Sequence, residues 1–248
     1  MNKIYLSFLI SSLASFSTLL GLIPSYFKQQ ENTLISSSLA FSAGVMITIS
    51  LISLIPEACS YFITGHNNIL TFLWILIFVI TGIFLSTIID KKIETYIPNN
   101  NLYKLGIMSI IALALHNIPE GITTFVSTTT NIKLGIKLSL AIALHNIPEG
   151  ISIAIPIYYA TKSHFKAFLY TFISGIFELL GAILAYLFLA QNLNNFTLGI
   201  ILSLTSGIMI YIAIYELIPT SYKYKKTKTS FLAFVFGTII MFICEKLF

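Results

Sequence analysis

Apolar runs of about twenty residues recur along this chain, each long enough to cross roughly 30 Å of hydrocarbon as a helix. Eight are readable, at about 4–27, 34–55, 69–89, 104–128, 133–160, 165–190, 196–219 and 230–247. A backbone in lipid must satisfy its own N–H and C=O groups, which leaves only helices or a closed barrel. A barrel would alternate apolar and polar residues over strands of about ten residues, and these runs do not alternate. Only 9% of the chain is charged and 56% is hydrophobic, whereas a soluble domain carries about 25% charge. The sequence therefore predicts an all-α integral membrane protein with eight transmembrane helices, residues 1–248 forming a single transmembrane domain. The first run holds one Lys and no small-x-small cleavage pattern, so it reads as a retained span rather than a signal peptide. Cys59 and Cys244 fall near the ends of spans 2 and 8, with no CxxC spacing.

The net charge of +5 suggests nucleic-acid binding until the lysines are placed. All 14 basic residues are Lys. With the N-terminus outside, ten fall in cytoplasmic connections, from Lys28 to the Lys223–Lys228 run, and four (Lys3, Lys133, Lys137, Lys246) fall outside. This asymmetry follows the positive-inside rule. It puts both termini outside and disfavours nucleic acid as a partner. Connections are marked by turn-forming asparagines at Asn67-Asn68, Asn99–Asn101 and Gln191–Asn195. Two further histidines, His66 and His164, fall in loops and read as ordinary exposed side chains.

An eleven-residue segment is written twice, with one change, inside this apolar background. Ala112–Ile122 reads ALALHNIPEGI and Ala141–Ile151 reads AIALHNIPEGI, offset by 29 residues. A charge near the bilayer centre costs about 2.5–3.5 kcal/mol even on lenient insertion scales. Two such motifs, each centred in its span, imply a shared task. His and Glu are i and i+4, and Asn and Glu are i and i+3, so each trio shares one helical face. His116, Asn117 and Glu120 converge, as do His145, Asn146 and Glu149. Pro119 and Pro148 free the carbonyls of Leu115 and Leu144, which predicts helices interrupted at mid-membrane, a pattern expected of transporters. Glu178, flanked by the small residues Gly175 and Gly181, lies at the middle of span 6.

Two imidazoles, two amide oxygens and three carboxylates form a mixed N/O donor set, which suits Zn²⁺, Fe²⁺ or Mn²⁺ better than Mg²⁺ or Ca²⁺. If two ions bind, Glu120 and Glu149 are the natural bridges. Met46, near the middle of span 2, reads either as core filler or as a soft ligand. Glu57, at the outer end of span 2, and Glu216, toward the inner end of span 7, read either as entrance and exit stations or as interfacial carboxylates. The site is thus expected between spans 4, 5 and 6, with span 2.

On the doubled ALHNIPEGI, with ISIAIPIYYATKS after it, the chain resembles a bacterial branch of the ZIP (Zrt-, Irt-like protein) family of metal transporters. The resemblance implies uptake of divalent metal through a binuclear mid-membrane site. One ion would be held by Glu120, His145 and Glu149 with His116, and the other by Asn117, Glu120, Asn146, Glu149 and Glu178. The resemblance also implies a thioether ligand at Met46, and zinc with iron, manganese and cobalt as substrates. The histidine-rich loop frequent between spans 3 and 4 is absent. The expectation is a non-enzymatic importer of Zn²⁺ and Fe²⁺, with Mn²⁺ and Co²⁺, in a bacterial inner (cytoplasmic) membrane. It carries no resident cofactor. Its partners are the metal ions and the lipid bilayer, with a homodimer as an open arrangement. The competing expectation is an intramembrane zinc-dependent hydrolase. Against it, the motif is not HExxH, and no uncommitted carboxylate remains as general base once both motif glutamates ligate.

Overall fold

The computed structural model describes residues 3–27, 30–63, 67–96, 101–189 and 195–247. Lys28, His66, Asn99, Asn100 and residues 191–194 lie outside the described residues. Among the described residues, eight helices are long and apolar enough to cross a membrane: α1 (Lys3–Tyr26), α2 (Glu31–Ile63), α3 (Asn68–Tyr96), α4 (Leu102–Thr130), α5 (Ile132–Thr161), α6 (His164–Leu187), α7 (Asn195–Lys223) and α8 (Thr227–Leu247). No strand occurs among the described residues. Several helices outrun their apolar runs. The 29 residues of α3 span about 44 Å at 1.5 Å per residue, the full bilayer with its headgroup layers. Its last turns accordingly carry Asp90, Lys91, Lys92 and Glu94.

The helices sort into two bundles. In the first, α1, α4, α5 and α6 pack on one another; in the second, α2 packs on α7 and α8, and α3 packs on α7. The consecutive helices α1 and α2 belong to different bundles. The main contact between bundles is α2 against α5. α3 and α8 are the least buried, with 11% and 17% of their most apolar stretch buried against 75% for α4, so they form an exposed apolar flank.

Proline shapes the helices unequally. In α2 the backbone widens into a π-helical turn at Ser50–Leu54, just before Pro56, and α7 does the same at Ile212–Leu217, before Pro219. A wider turn relieves the clash between the proline ring and the carbonyl four residues earlier. The interruption expected at Pro119 and Pro148 is absent, because α4 and α5 run helical through both. The tight packing around these prolines holds the helices continuous, and a proline can be accommodated where neighbouring groups re-satisfy the backbone.

The connection between α4 and α5 is the single residue Asn131, whose Oδ1 accepts from the N–H groups of Lys133 (3.0 Å) and Leu134 (3.3 Å). This cap fixes the antiparallel register of the two copies. His116 lies 15 residues before Asn131 (131 − 116) and His145 lies 14 after it (145 − 131), so the rings are level to within about 1.5 Å of rise.

Candidate metal centre

The doubled motif closes on itself. His145 Nε2 lies 2.7 Å from Glu120 Oε1, His116 Nε2 lies 2.8 Å from the same oxygen, and His116 Nε2 lies 3.1 Å from Glu149 Oε1. One ligand atom each from His116, Glu120 and His145 falls within 4.8 Å of the others, and all three side chains are buried. Four ligands at 2.0–2.1 Å around a tetrahedral ion stand roughly 3.3 Å apart. The observed N···O separations of 2.7 to 3.1 Å need only a few tenths of an ångström of spreading to admit such an ion.

Asn146 and Glu178 form the adjoining half. Asn146 Nδ2 donates to Glu178 Oε2 at 2.8 Å and to the Ala14 carbonyl of α1 at 2.9 Å. Asn117 Nδ2 donates to the Ser174 carbonyl of α6 at 3.1 Å. Each amide is thereby pinned by its nitrogen, and both Oδ1 atoms are left buried without a hydrogen-bond partner. The same holds for His116 Nδ1 and Nε2, Glu120 Oε2, His145 Nδ1, both Glu149 oxygens and Glu178 Oε1. The close approaches of His116 therefore lack hydrogen-bond alignment. An orphaned buried polar group costs about 1–3 kcal/mol. Nine of them on seven residues leave unmet polar capacity beside the hydrogen bonds by which Asn117, Asn146 and His145 tie the helices together. All seven come from α4, α5 and α6, and these residues could hold a divalent cation.

Glycine brings these helices close. A Cβ on Gly121 would strike the Glu178 carbonyl, and one on Gly181 would strike the Ile118 carbonyl, so α4 and α6 touch backbone to backbone beside the site. Gly150 of α5 and Gly21 of α1 meet similarly, just past Glu149. The sequence motif does not reveal Ser42 of α2, whose hydroxyl donates to the Pro148 carbonyl at 2.6 Å and ties the second bundle to the residue preceding Glu149. Backbone acceptors such as Ala14 and Ser174 O leave no signal in a sequence.

The remaining candidates make none of these contacts. Met46 is fully buried in the apolar core, one turn beyond Ser42. Glu57 is half-buried and accepts a long hydrogen bond from Tyr61 Oη (3.5 Å), within electrostatic range of Glu120. Glu216 is half-buried, within electrostatic range of Asp90 and Lys104 at the lysine-rich end. His164 corrects an expectation. It is not an ordinary exposed loop histidine but a half-buried ring stacked between Tyr26 and Tyr158, each centroid 4.3 Å away. Ser25 Oγ lies 3.3 Å from its Nδ1. The aromatic neighbours come from α1 and α5, which no local pattern around position 164 reveals.

These features define a multi-pass membrane protein with a mid-membrane polar centre. The family model described as ZIP Zinc transporter matches residues 100–245. The zinc transporter ZupT of Clostridium perfringens (strain 13 / Type A) is 37% identical over 279 residues, covering 100% of this chain and 98% of the relative. That of Streptococcus mutans is 37% identical over 262 residues, covering 100% and 99%. The ZupT of Campylobacter jejuni is 33% identical over 277 residues, covering 97% and 95%. The chain belongs to the ZIP zinc transporter family, which is a family of transporters and not of enzymes. The hydrolase expectation is set aside on that ground.

Proposed function

We propose that this protein imports divalent metal ions across a bacterial inner membrane, zinc first, with iron, manganese and cobalt as further substrates. The whole chain acts as one transport domain, with the lysine-rich connections in the cytoplasm. The observation that carries the reading is the set of orphaned, buried nitrogen and oxygen donors converging from α4, α5 and α6. In this reading one ion takes His116, Glu120, His145 and Glu149, and a second takes Asn117, Asn146 and Glu178 with the two motif glutamates as bridges. Met46 adds a thioether from α2.

The donor chemistry sets the order of events. Exposure differs among the ligands: Glu120 (6%) and His145 (5%) retain some, whereas His116 (1%) and Glu149 (0%) have almost none. An arriving ion therefore passes Glu57, exchanges its first waters for Glu120 and His145, and then reaches His116 and Glu149. Three carboxylates offset most of the charge of one or two divalent ions in a medium that would otherwise exclude them. Glu216 stands at the exit.

Proteoliposomes holding the purified protein test this. Labelled Zn²⁺, Fe²⁺ and Mn²⁺ are expected to accumulate well above protein-free vesicles. Uptake is expected to fall as the external pH is lowered from 7 to about 5, because imidazoles and carboxylates must be deprotonated to bind. Tight binding without flux would contradict the importer reading.

A further inference from the structure

The two bundles are tied by ions at one face. Lys104 of α4 pairs with Asp90 of α3 at 2.9 Å and approaches Glu94 of α3 at 3.6 Å. The Lys104 and Asp90 side chains are only 13% and 14% exposed. Tyr211 of α7 donates to Asp90 Oδ2 at 3.3 Å, holding the carboxylate from its own bundle. A second pair joins Lys162, just past α5, to both oxygens of Glu31 at the start of α2, at 3.0 and 2.9 Å. Lys162 adopts a left-handed backbone (φ 52°), which glycine would take more easily. A lysine there supplies the cation that Glu31 receives.

Both pairs fall at the same ends of α4 and α5, the helices that carry the doubled motif. Between those ends and the motif lies an apolar plug. Leu105, Met108 and Leu113 of α4, with Ile153, Ile155 and Ile157 of α5, are fully buried in one cluster with α2 and α7. The centre's slight residual exposure is confined to Glu120 and His145. The centre is therefore shielded from the lysine-rich face by packing and by charge together.

We infer that the Lys104–Asp90 and Lys162–Glu31 pairs are a latch that closes the metal centre to the lysine-rich face, and that they must part for an ion to leave on that side. The inference rests on the importer reading for its purpose, but the latch itself is measurable without metal. Ion pairs shielded from solvent exceed exposed ones in strength, so Lys104–Asp90, with side chains 13% and 14% exposed, is the stronger element and Lys162–Glu31, 61% and 50% exposed, the weaker.

The test uses the full chain with Cys59 and Cys244 replaced by Ser and a reporter cysteine at Ile157→Cys, inside the plug. A membrane-impermeant maleimide is applied to each face of sealed vesicles in turn. The latched protein should label slowly from both faces. The combined Lys104→Gln and Lys162→Gln variant should label about tenfold faster from the lysine-rich face only, the direction expected on loss of two ion pairs. Lys162→Glu alone should raise labelling, and adding Glu31→Lys should restore protection; both positions are surface-exposed, so this arm survives if the Lys104 variant folds poorly. Unchanged labelling in the double variant, faster labelling from the opposite face, or failure of the exchanged pair to restore protection would overturn the latch. Absence of zinc flux in the unmodified protein would instead remove the importer reading and leave the labelling result standing.

Discussion

Glu149→Ala is expected to lower zinc uptake by about 100-fold or more, since even the outer-shell partners of a bound metal cost 10–100-fold on removal. The apo protein should not lose stability with it. Glu149 is fully buried and neither of its oxygens has a hydrogen-bond partner. Truncation therefore removes two acceptors that lack hydrogen-bond partners, at the cost of the 3.1 Å approach between Glu149 Oε1 and His116 Nε2. An unpartnered buried acceptor costs about 1–3 kcal/mol, which offsets the cavity that truncation leaves, so apo thermal unfolding in detergent should change little. What should disappear is the stabilisation that zinc gives the unaltered protein, which follows mass action on binding. An apo protein markedly destabilised by Glu149→Ala would mean that the carboxylate is a packing element.

Gly121→Val should produce the opposite signature, losing uptake and stability together. The added Cβ meets the Glu178 carbonyl of α6, and Gly181 makes the reciprocal approach to the Ile118 carbonyl. Overpacking a well-filled interior costs about 1–3 kcal/mol. A main-chain carbonyl cannot move aside as a side-chain tip can, so the upper end of that range is expected. Separating α4 from α6 would carry Glu178 away from its partners in α4 and α5 without altering any donor. Thermal unfolding and uptake measured on the same preparations check it: near-normal values for both would show that the crossing tolerates the extra volume. Membrane helices rely on such small residues because lipid gives no hydrophobic drive for helices to associate.

Much of this was legible in the sequence because its physics is local. Span count follows from run length against bilayer thickness, and the described residues hold eight helices long and apolar enough to span. The facing of His116 toward Glu120, and of Glu149 toward its partners, follows from i,i+4 spacing on helices that meet through a one-residue turn. Small residues let membrane helices approach closely, and Gly181, one of the two that flank Glu178, does meet the Ile118 carbonyl. What escaped the sequence depends on which distant helices become neighbours. Nothing around Ser42 announces that its hydroxyl reaches Pro148, and nothing around Asp90 announces Lys104 as its partner. His164 looked like a loop residue because its stacking partners, Tyr26 and Tyr158, come from other helices. The expected breaks at Pro119 and Pro148 failed for a related reason. Proline's cost in isolation is local, but the packing of α1, α2 and α6 against these segments is not.

The central claim is that the orphaned donors of α4, α5 and α6 share a divalent ion. Diffraction from zinc-loaded crystals, collected on either side of the zinc absorption edge, tests it most directly. The account predicts an anomalous peak within about 2.0–2.2 Å of imidazole nitrogens and carboxylate oxygens of His116, Glu120, His145 and Glu149. Zinc located elsewhere, with these four side chains bonded only to one another, would contradict it.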